Sequence, residues 1–595
     1  MNFTKFAKYL ARLEQTTKRL EITTILTELI QELEPEETDK AIYLASGYLQ
    51  APFNSLNFNI ADKMMTKILE YTFADPQKKD IGSQISKLYA HEGDLGNVAE
   101  QLQEDQRSRG WTVSQAYEKL ADVARTNGTG STEAKIKKAA ELLRYLDKTS
   151  TKYAVRIMLG TLRLGFTEIT IIAALAQFLE NKAAVDELEA HYNIHPDIGL
   201  LAKDLKENGV AGLEKIKIET GVPVLSQKAQ RVSGMEEAME RIKNVWAEFK
   251  FDGTRVQLHF DKHKKISQTN NQTDLFGAEK KPSKNYLIKT FTRNLEETTH
   301  QYPDIIEAAT QQIAAASVIL DGEAIGYNRE TGEFLPFQET ITRKRKYDVA
   351  ETAKNIPLKY FVFDILYLNG KSLINFPLRE RRKMLSTIIK TGECIVVDEH
   401  METEVFEELQ EYFEIAKEKG LEGLLVKSPE DPYQAGARSY SWIKLKKADE
   451  KLLRDSVDCV VLGYYHGKGV RSKFGIGGFL VGVYDPSSDS FKTITKIGTG
   501  LKEDDWIKLK KLADKVKANK VPANVAISKV LLPDVIVKPK IVVEIGADEI
   551  SISPNHTAGY ALRFPRLLKF RDDKAPTETT SVKEIVTMFN SQRKN

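Results

Sequence analysis

Hydrophobic positions change their period along the chain. From residue 1 to about 220 they recur at helical spacing: Phe3, Phe6, Leu10 and Leu13 open the series, and EITTILTELIQEL continues it. This stretch is predicted to be helical, with turn signals such as TNGTGST at 126–132 between helices. Beyond TGVPVLSQKAQRV at 220–232 the period falls to two. Val256, Leu258 and Phe260 alternate with polar residues, and SVILDGEAIGY and YFVFDILYLNG are short apolar runs bounded by Gly or Asn. These predict strands. VFEELQEYFEIAKEKG at 405–420 returns to helical spacing and closes on Gly420, so the middle third reads as mixed α/β. From about 448, VDCVVLGYYHG, GGFLVGVYD, KTITKIG and KIVVEIGADEISIS predict the strands of a small barrel. KEDDWIKLKKLADKVKAN adds one helix there and SVKEIVTMFNSQ a closing one, while the polar segment 261–285 reads as a surface loop. The predicted architecture is multidomain: an all-α domain at 1–222, an α/β domain at 223–447 and a β-barrel domain at 448–595 with a C-terminal helix. A chain of 595 residues is too long for one core.

Composition narrows the function little. Charged residues make up 29% and the net charge is +3, so a phosphate-binding surface has to come from local clustering. Two distant cysteines, Cys394 and Cys459, argue against a disulfide framework or a cysteine-based zinc site and fit a reducing, cytoplasmic setting. No stretch approaches membrane-spanning length.

The stretch AEFKFDGTR at 247–255 does narrow it. It sets Lys250 between Phe249 and Phe251, where desolvating an ammonium is costly. Further apolar strands carry charges at their ends: LDGE supplies Asp321 and Glu323, and EGLLVK supplies Glu422 and Lys427. In SWIKLKK, Lys444 and Lys446 fall on one side of a strand. RFPRLLKFRDDK adds Arg563, Arg566, Lys569 and Arg571. Together these predict a cationic pocket with carboxylates. Two glutamates are hard oxygen ligands for Mg²⁺, lysines and arginines are countercharge for a triphosphate, and a lysine among cations and a metal can serve as a nucleophile. Nucleotidyl transfer is the chemistry that uses all three. In the helical part, YAVRIMLGTLRLGFTE at 153–168 places Arg156 and Arg163 with two glycines where a phosphate chain could approach. A strand aromatic is usually core, and Trp442 is read so; Phe363 is separated from that reading only by its place in VFD.

KFDGTR, FTRN, LDGE, VFDILYLNG, EGLLVK and SWIKLK stand in the order and approximate spacing of the nucleotidyltransferase motifs of ATP-dependent DNA ligases. The chain resembles the archaeal/eukaryotic replicative type over nearly its whole length. EQTTKRLEITTILTELI and LRLGFTE are similar to that family's N-terminal domain, and GYYHGKG and RFPRLLKFRDDK to its OB-fold domain. The resemblance implies nick sealing in duplex DNA, with ATP as co-substrate and Mg²⁺, by a monomer associated with the nucleoid if the source is a prokaryote. It implies that Lys250 is the adenylated nucleophile, that Glu248 helps recognise adenine and that Phe363 stacks on it. Arg255 and Arg293 would contact phosphates and ribose, Glu323 and Glu422 would organise Mg²⁺, and Lys427, Arg438 and Lys444 would bind phosphates. Arg563 and Arg566 would help pyrophosphate leave. The expected paired aromatics of a sliding-clamp motif are missing around QEDQRSRGW, which leaves clamp binding open. The rivals are an RNA ligase or mRNA-capping guanylyltransferase, and a non-catalytic DNA-binding scaffold.

Overall fold

The computed structural model describes residues 1–54, 56–74, 80–104, 109–128, 130–162, 164–181, 184–232, 234–265, 286–335, 337–340, 356–446, 456–467, 474–498 and 501–592. It divides into two compact units, Met1–Lys446 and Lys447–Asn595. No helix among the described residues is long and apolar enough to cross a membrane.

The first unit begins with twelve α-helices among the described residues, from Phe3–Glu14 to Ile198–Asn208, around one apolar core. Asp94, Asp147 and Asp197 cap helix starts by accepting main-chain N–H groups, which supplies partners the first turn lacks. Arg156, on the helix Lys148–Met158, is 2% exposed. Its Nε lies 3.2 Å from Asp94, one terminal nitrogen 3.0 Å from Glu14 and the other 3.0 Å from the Asn97 side-chain oxygen. A guanidinium enclosed in this way holds helices together, so the phosphate contact expected of Arg156 is not where the structure places it. Arg163 lies outside the described residues.

The rest of the first unit is strand-rich: β1 (Lys228–Arg231), β2 (Val245–Lys250), β3 (Thr254–Lys265), β4 (Tyr286–Thr292), β5 (Ser317–Gly326), β6 (Leu358–Leu368), β7 (Lys371–Ser372), β8 (Ile395–Val397), β9 (His400–Thr403), β10 (Gly423–Lys427) and β11 (Arg438–Lys446). One sheet has the order β1-β11-β10-β2-β9; the other runs β4-β3-β5-β6-β7, with β8 beside β6. The helix expected at 405–420 spans Phe406–Glu418, and Gly420 follows it at φ 73°. Most of the polar loop expected at 261–285 lies outside the described residues, and β3 extends into its start as far as Lys265.

Period-two alternation gives each sheet an apolar face and a polar one. Val256, Leu258 and Phe260 of β3 enter a core with Leu320, Val362 and Ile365. On the other face of β3, Gln257, His259 and Asp261 bind the segment arriving from the helices. Gln257 Oε1 accepts from Val224 N–H at 2.8 Å, and Asp261 accepts from Thr220 Oγ1–H at 2.6 Å. His259 Nδ1 accepts from Gly221 N–H at 3.1 Å, so its proton sits on Nε2, 2.9 Å from Gln257 Oε1.

The second unit contains β12 (Val457–Tyr465), β13 (Gly478–Asp485), β14 (Ser490–Ile497), β15 (Lys517–Ala518), β16 (Val525–Ala526), β17 (Val535–Val537), β18 (Val542–Gly546), β19 (Glu549–Ile552), β20 (Tyr560–Arg563) and β21 (Arg566–Phe570). Its main sheet follows β15-β17-β12-β13-β14-β16, with β18 joining β12 to β21, while β19 and β20 form a separate pair. This is a half-barrel: among the described residues the ends of the sheet do not pair, so the closed barrel expected from the strand pattern is not seen. Helix Glu503–Asp514 covers its core with Trp506 and Leu509, and the closing helix Val582–Gln592 adds Ile585 and Phe589.

Burial pushes His259 down to about 3, with Lys289 and Lys264 adding to the shift. The folded chain therefore holds this ring neutral where the unfolded chain protonates it. Stability linked to His259 is complete above pH ~6.5 and is lost as pH falls toward 3, by about 1.4 kcal/mol per pH unit. Urea unfolding between pH 6 and 4 is expected to show a steeper pH slope in the wild type than in His259→Gln; equal slopes would show that His259 is not the group responsible.

Candidate active site

Three adjacent strands set the site by register. Across β2, β10 and β11, Lys250 is opposite Gly423 and Gly423 opposite Lys446. The next same-face row is Glu248, Leu425 and Lys444, and the one after is Trp246, Lys427 and Trp442. The intervening residues Ala247, Phe249, Leu424, Val426, Ile443 and Leu445 point the other way into a core. Lys250 can thus lie between phenylalanines because they belong to the opposite face. Gly423, at φ 138°, has room for no side chain: a Cβ there would lie 2.1 Å from the Leu445 carbonyl oxygen. The gap over this glycine is spanned by Glu422, whose Oε2 is 2.5 Å from Lys250 Nζ and 3.0 Å from Lys446 Nζ. Burial would raise the Glu422 carboxyl, but Lys250 and Lys446 bring it below its ordinary value.

The second sheet supplies the facing wall. Arg255 of β3 is opposite Glu323 of β5, and Gln257 opposite Asp321. Arg255 grips Asp321 through Nε at 3.0 Å and a terminal nitrogen at 2.5 Å, and donates to the Gln227 carbonyl at 2.7 Å. Tyr433 O–H donates to Asp321 at 2.9 Å. In β6 the register shifts so that Val362 opposes Gly322 and Asp364 opposes Asp321. Phe363 is the extra residue of that bulge, which re-aims its ring. The ring lines the cavity beside Trp442, edge-on with centroids 5.9 Å apart. Asp364 next to it is bound by Arg381 at 2.7 and 2.9 Å, both side chains fully buried.

Between the walls lies a cavity of about 450 Å³. Lys250, Glu248, Arg255, Arg293, Glu323, Phe363, Arg438 and Lys444 all line it, and Glu422 reaches it through its ion pair with Lys250. Lys427 is not among the lining residues. It is fully buried beneath the floor, ion-paired to Glu248 and set 4.5 and 4.3 Å from the ring centres of Phe363 and Trp442. The phosphate contact expected of Lys427 is therefore not its placement; its ammonium holds the residues of the floor. In the second unit Arg563 is exposed, and Arg566 is 2.7 Å from Asp548.

The cavity is electrostatically primed for an anion. Burial lowers the Lys444 amine, and Lys446, Arg231, Arg438 and Lys250 act in the same direction. Burial lowers Arg293 too, with Arg255 and Arg438 adding to it. Burial raises Glu323 to about 7; Lys250 and Arg255 oppose the shift, while Asp321 and Glu422 reinforce it. Glu323 and Glu422 are hard oxygen donors of the kind that fits a divalent cation taking its remaining oxygens from phosphate. No cluster of three or more acidic, histidine or cysteine side chains able to hold a metal occurs among the described residues.

Sequence reasoning missed Lys228, Trp246 and Asp398, and read Trp442 as core alone. Trp246 and Trp442 share the parity of Lys250 and Lys444, a signal that would have placed them on the polar face. Asp398, between β8 and β9, carries no such signal.

Comparison with known proteins gives three matches to family models: "DNA ligase N terminus" at residues 2–176, "ATP dependent DNA ligase domain" at 280–446 and "ATP dependent DNA ligase C terminal region" at 472–574. A "Probable DNA ligase" of Dictyoglomus turgidum is 40% identical, covering 100% of this chain and 98% of that protein. A "DNA ligase" of Sulfolobus acidocaldarius is 35% identical over the same shares. A solved structure described as "Pmar-Lig_Pre." matches in fold at TM-score 0.55 and 17% identity, over 96% of this chain and 99% of that one.

The Glu248–Lys427 pair is expected to behave as a buried unit. Lys427→Met removes the paired cation of a buried carboxylate, leaving Arg382 at 4.0 Å, and is expected to lose about 3–5 kcal/mol, whereas Glu248→Gln/Lys427→Met recovers more than half of that. Thermal unfolding followed by tryptophan fluorescence measures both, and additive losses would show that the two do not act as a pair.

Proposed function

The chain belongs to the ATP-dependent DNA ligases, and from that premise we propose that it seals nicks in duplex DNA by three phosphoryl transfers through the one cavity. The observation that carries this is Lys250, held in register with Lys446 and 2.5 Å from Glu422 on the cavity floor. First, the Lys250 amine attacks the α-phosphorus of ATP; an N–P bond forms, the bond to the β-phosphate oxygen breaks, and pyrophosphate leaves. Attack requires the free amine, and Glu422 is the carboxylate that holds Lys250 Nζ in place on the floor. Second, the 5′-phosphate at a nick displaces Lys250 from phosphorus, giving a 5′-adenylated strand. Third, the neighbouring 3′-hydroxyl attacks that 5′-phosphorus and releases AMP.

Lys444, Arg438 and Arg293 supply countercharge to the phosphate oxygens, where negative charge builds during each transfer. Arg255 is committed to Asp321, so its task here is to fix the wall and present its edge to the ribose. Glu323 and Glu422 would hold Mg²⁺, which adds countercharge at the same oxygens. Glu248 and Phe363 close the base end. We read the half-barrel of the second unit as an OB-fold, on the resemblance of GYYHGKG and RFPRLLKFRDDK to that domain, and assign Arg563 and Arg566 to pyrophosphate departure on the same ground. The domain limits in this reading are 1–222, 223–447 and 448–595.

Incubation with α-labelled ATP and Mg²⁺, followed by a denaturing gel, is expected to label the wild type and leave Lys250→Ala unlabelled. The label should chase onto nicked duplex DNA as AMP on the 5′ end. Sealing by Lys250→Ala at the wild-type rate would overturn the assignment. Lys444→Ala is expected to fall by 10²-fold or more in adduct formation, because a group that meets charge developing in the transition state is removed.

A further inference from the structure

Two buried carboxyl groups line the cavity: Glu248 on β2, and Asp398 in the connection from β8 to β9, which links the two sheets. They are 1% and 4% exposed. Glu248 is fixed by the ion pair with Lys427 and by Trp246, whose indole N–H donates to it at 2.9 Å. The His400 ring lies flat on Trp246 at 3.5 Å and steadies the indole. Asp398 is fixed by its main chain: its N–H donates to the Val362 carbonyl at 2.9 Å, and its own carbonyl accepts from Arg382. Phe363 and Trp442 line the same cavity and offer an aromatic wall for a flat base.

Building on the nucleotidyl-transfer reading above, we propose that Glu248 and Asp398 together read the hydrogen-bonding edge of the nucleobase. Glu248, as a carboxylate, accepts from the exocyclic 6-amino group; Asp398, as a carboxylic acid, donates to ring N1. This makes Asp398 a specificity residue, with Lys427 and Trp246 positioning its partner. The pairing matches adenine, which offers a donor at position 6 and an acceptor at position 1. Guanine reverses both, setting a carbonyl oxygen against the carboxylate and an N–H against the acid's proton. Burial supports the assignment, since it raises the Asp398 carboxyl well above its ordinary range; the nearby Glu248 charge adds to this, and Arg382 and Lys427 oppose it. Lys427 is committed to Glu248 by its ion pair, which sets the two carboxyls in different surroundings.

The test compares lysyl-nucleotide formation by the full chain with ATP and with 1-deaza-ATP, whose ring N1 is replaced by C–H. The wild type is expected to discriminate against the analogue about tenfold in kcat/KM, mainly through KM, as the loss of one buried hydrogen bond implies. Asp398→Ala should use both nucleotides with nearly equal efficiency. Asp398→Asn, which keeps an N–H donor, should recover much of the discrimination. If the alanine variant does not fold, Asp398→Leu, close in volume and lacking a donor, takes its place. Wild-type discrimination that survives in Asp398→Ala or Asp398→Leu overturns the proposal, as does equal use of the two nucleotides by the wild type. Absence of any adduct from ATP in the wild type would instead overturn the parent reading, and this one with it.

Discussion

Like charges crowded into a small volume repel, and burial raises the cost of every one of them; the site is organised around that constraint. Lys228, Lys250, Arg255, Arg293, Arg438, Lys444 and Lys446 all line one cavity of about 450 Å³. The fold meets part of the repulsion with carboxylates placed residue by residue. Glu422 serves Lys250 and Lys446, Asp321 serves Arg255, and beneath the floor Glu248 serves Lys427. The remaining tension is visible in Lys444 and Arg293, both held below their ordinary proton affinity. Such a cavity stores electrostatic work that an incoming polyphosphate releases, so binding and folding draw on the same charges.

The two sheets divide the labour. β2, β10 and β11 carry Lys250, Lys444 and Lys446 on one rigid, in-register face. β3, β5 and β6 contribute Arg255, Glu323 and Phe363, with a bulge that turns the aromatic out of its expected alternation. The connection between β8 and β9 then joins the sheets, and Asp398 on it lines the cavity. Lys250 ends β2 with Glu248 one same-face row behind it, and the backs of these strands form a single core with Leu424 and Ile443.

Much of this was legible in the sequence, and the failures have physical causes. Alternation of side chains told that Lys444 and Lys446 share one face of a strand. It could not tell how far along the face a residue lies, and so Lys427, on the same face, was expected among the phosphates when it lies two rows deeper under the floor. Phe363 was ambiguous because a bulge breaks the period on which such readings depend. Arg156 looked available because its carboxylate partners, Glu14 and Asp94, are remote in sequence and reach it only through helix packing. Asp398 was invisible because its surroundings come from both sheets at once. Strand existence in the second unit was readable, whereas closure depends on pairings between distant strands that no local pattern records.

Register also constrains how the chain can change in length. Every side chain from Trp246 to Lys250 owes its environment to its parity, so one inserted or deleted residue within β2 would exchange the faces. The lysine would enter the core occupied by Phe249, and that phenylalanine would face the cavity. The same holds for β10 and β11, which share the count. Length variation among descendants of this chain is thereby confined to the connections, and the three strands evolve as a block of fixed size in which residues can be exchanged but not added.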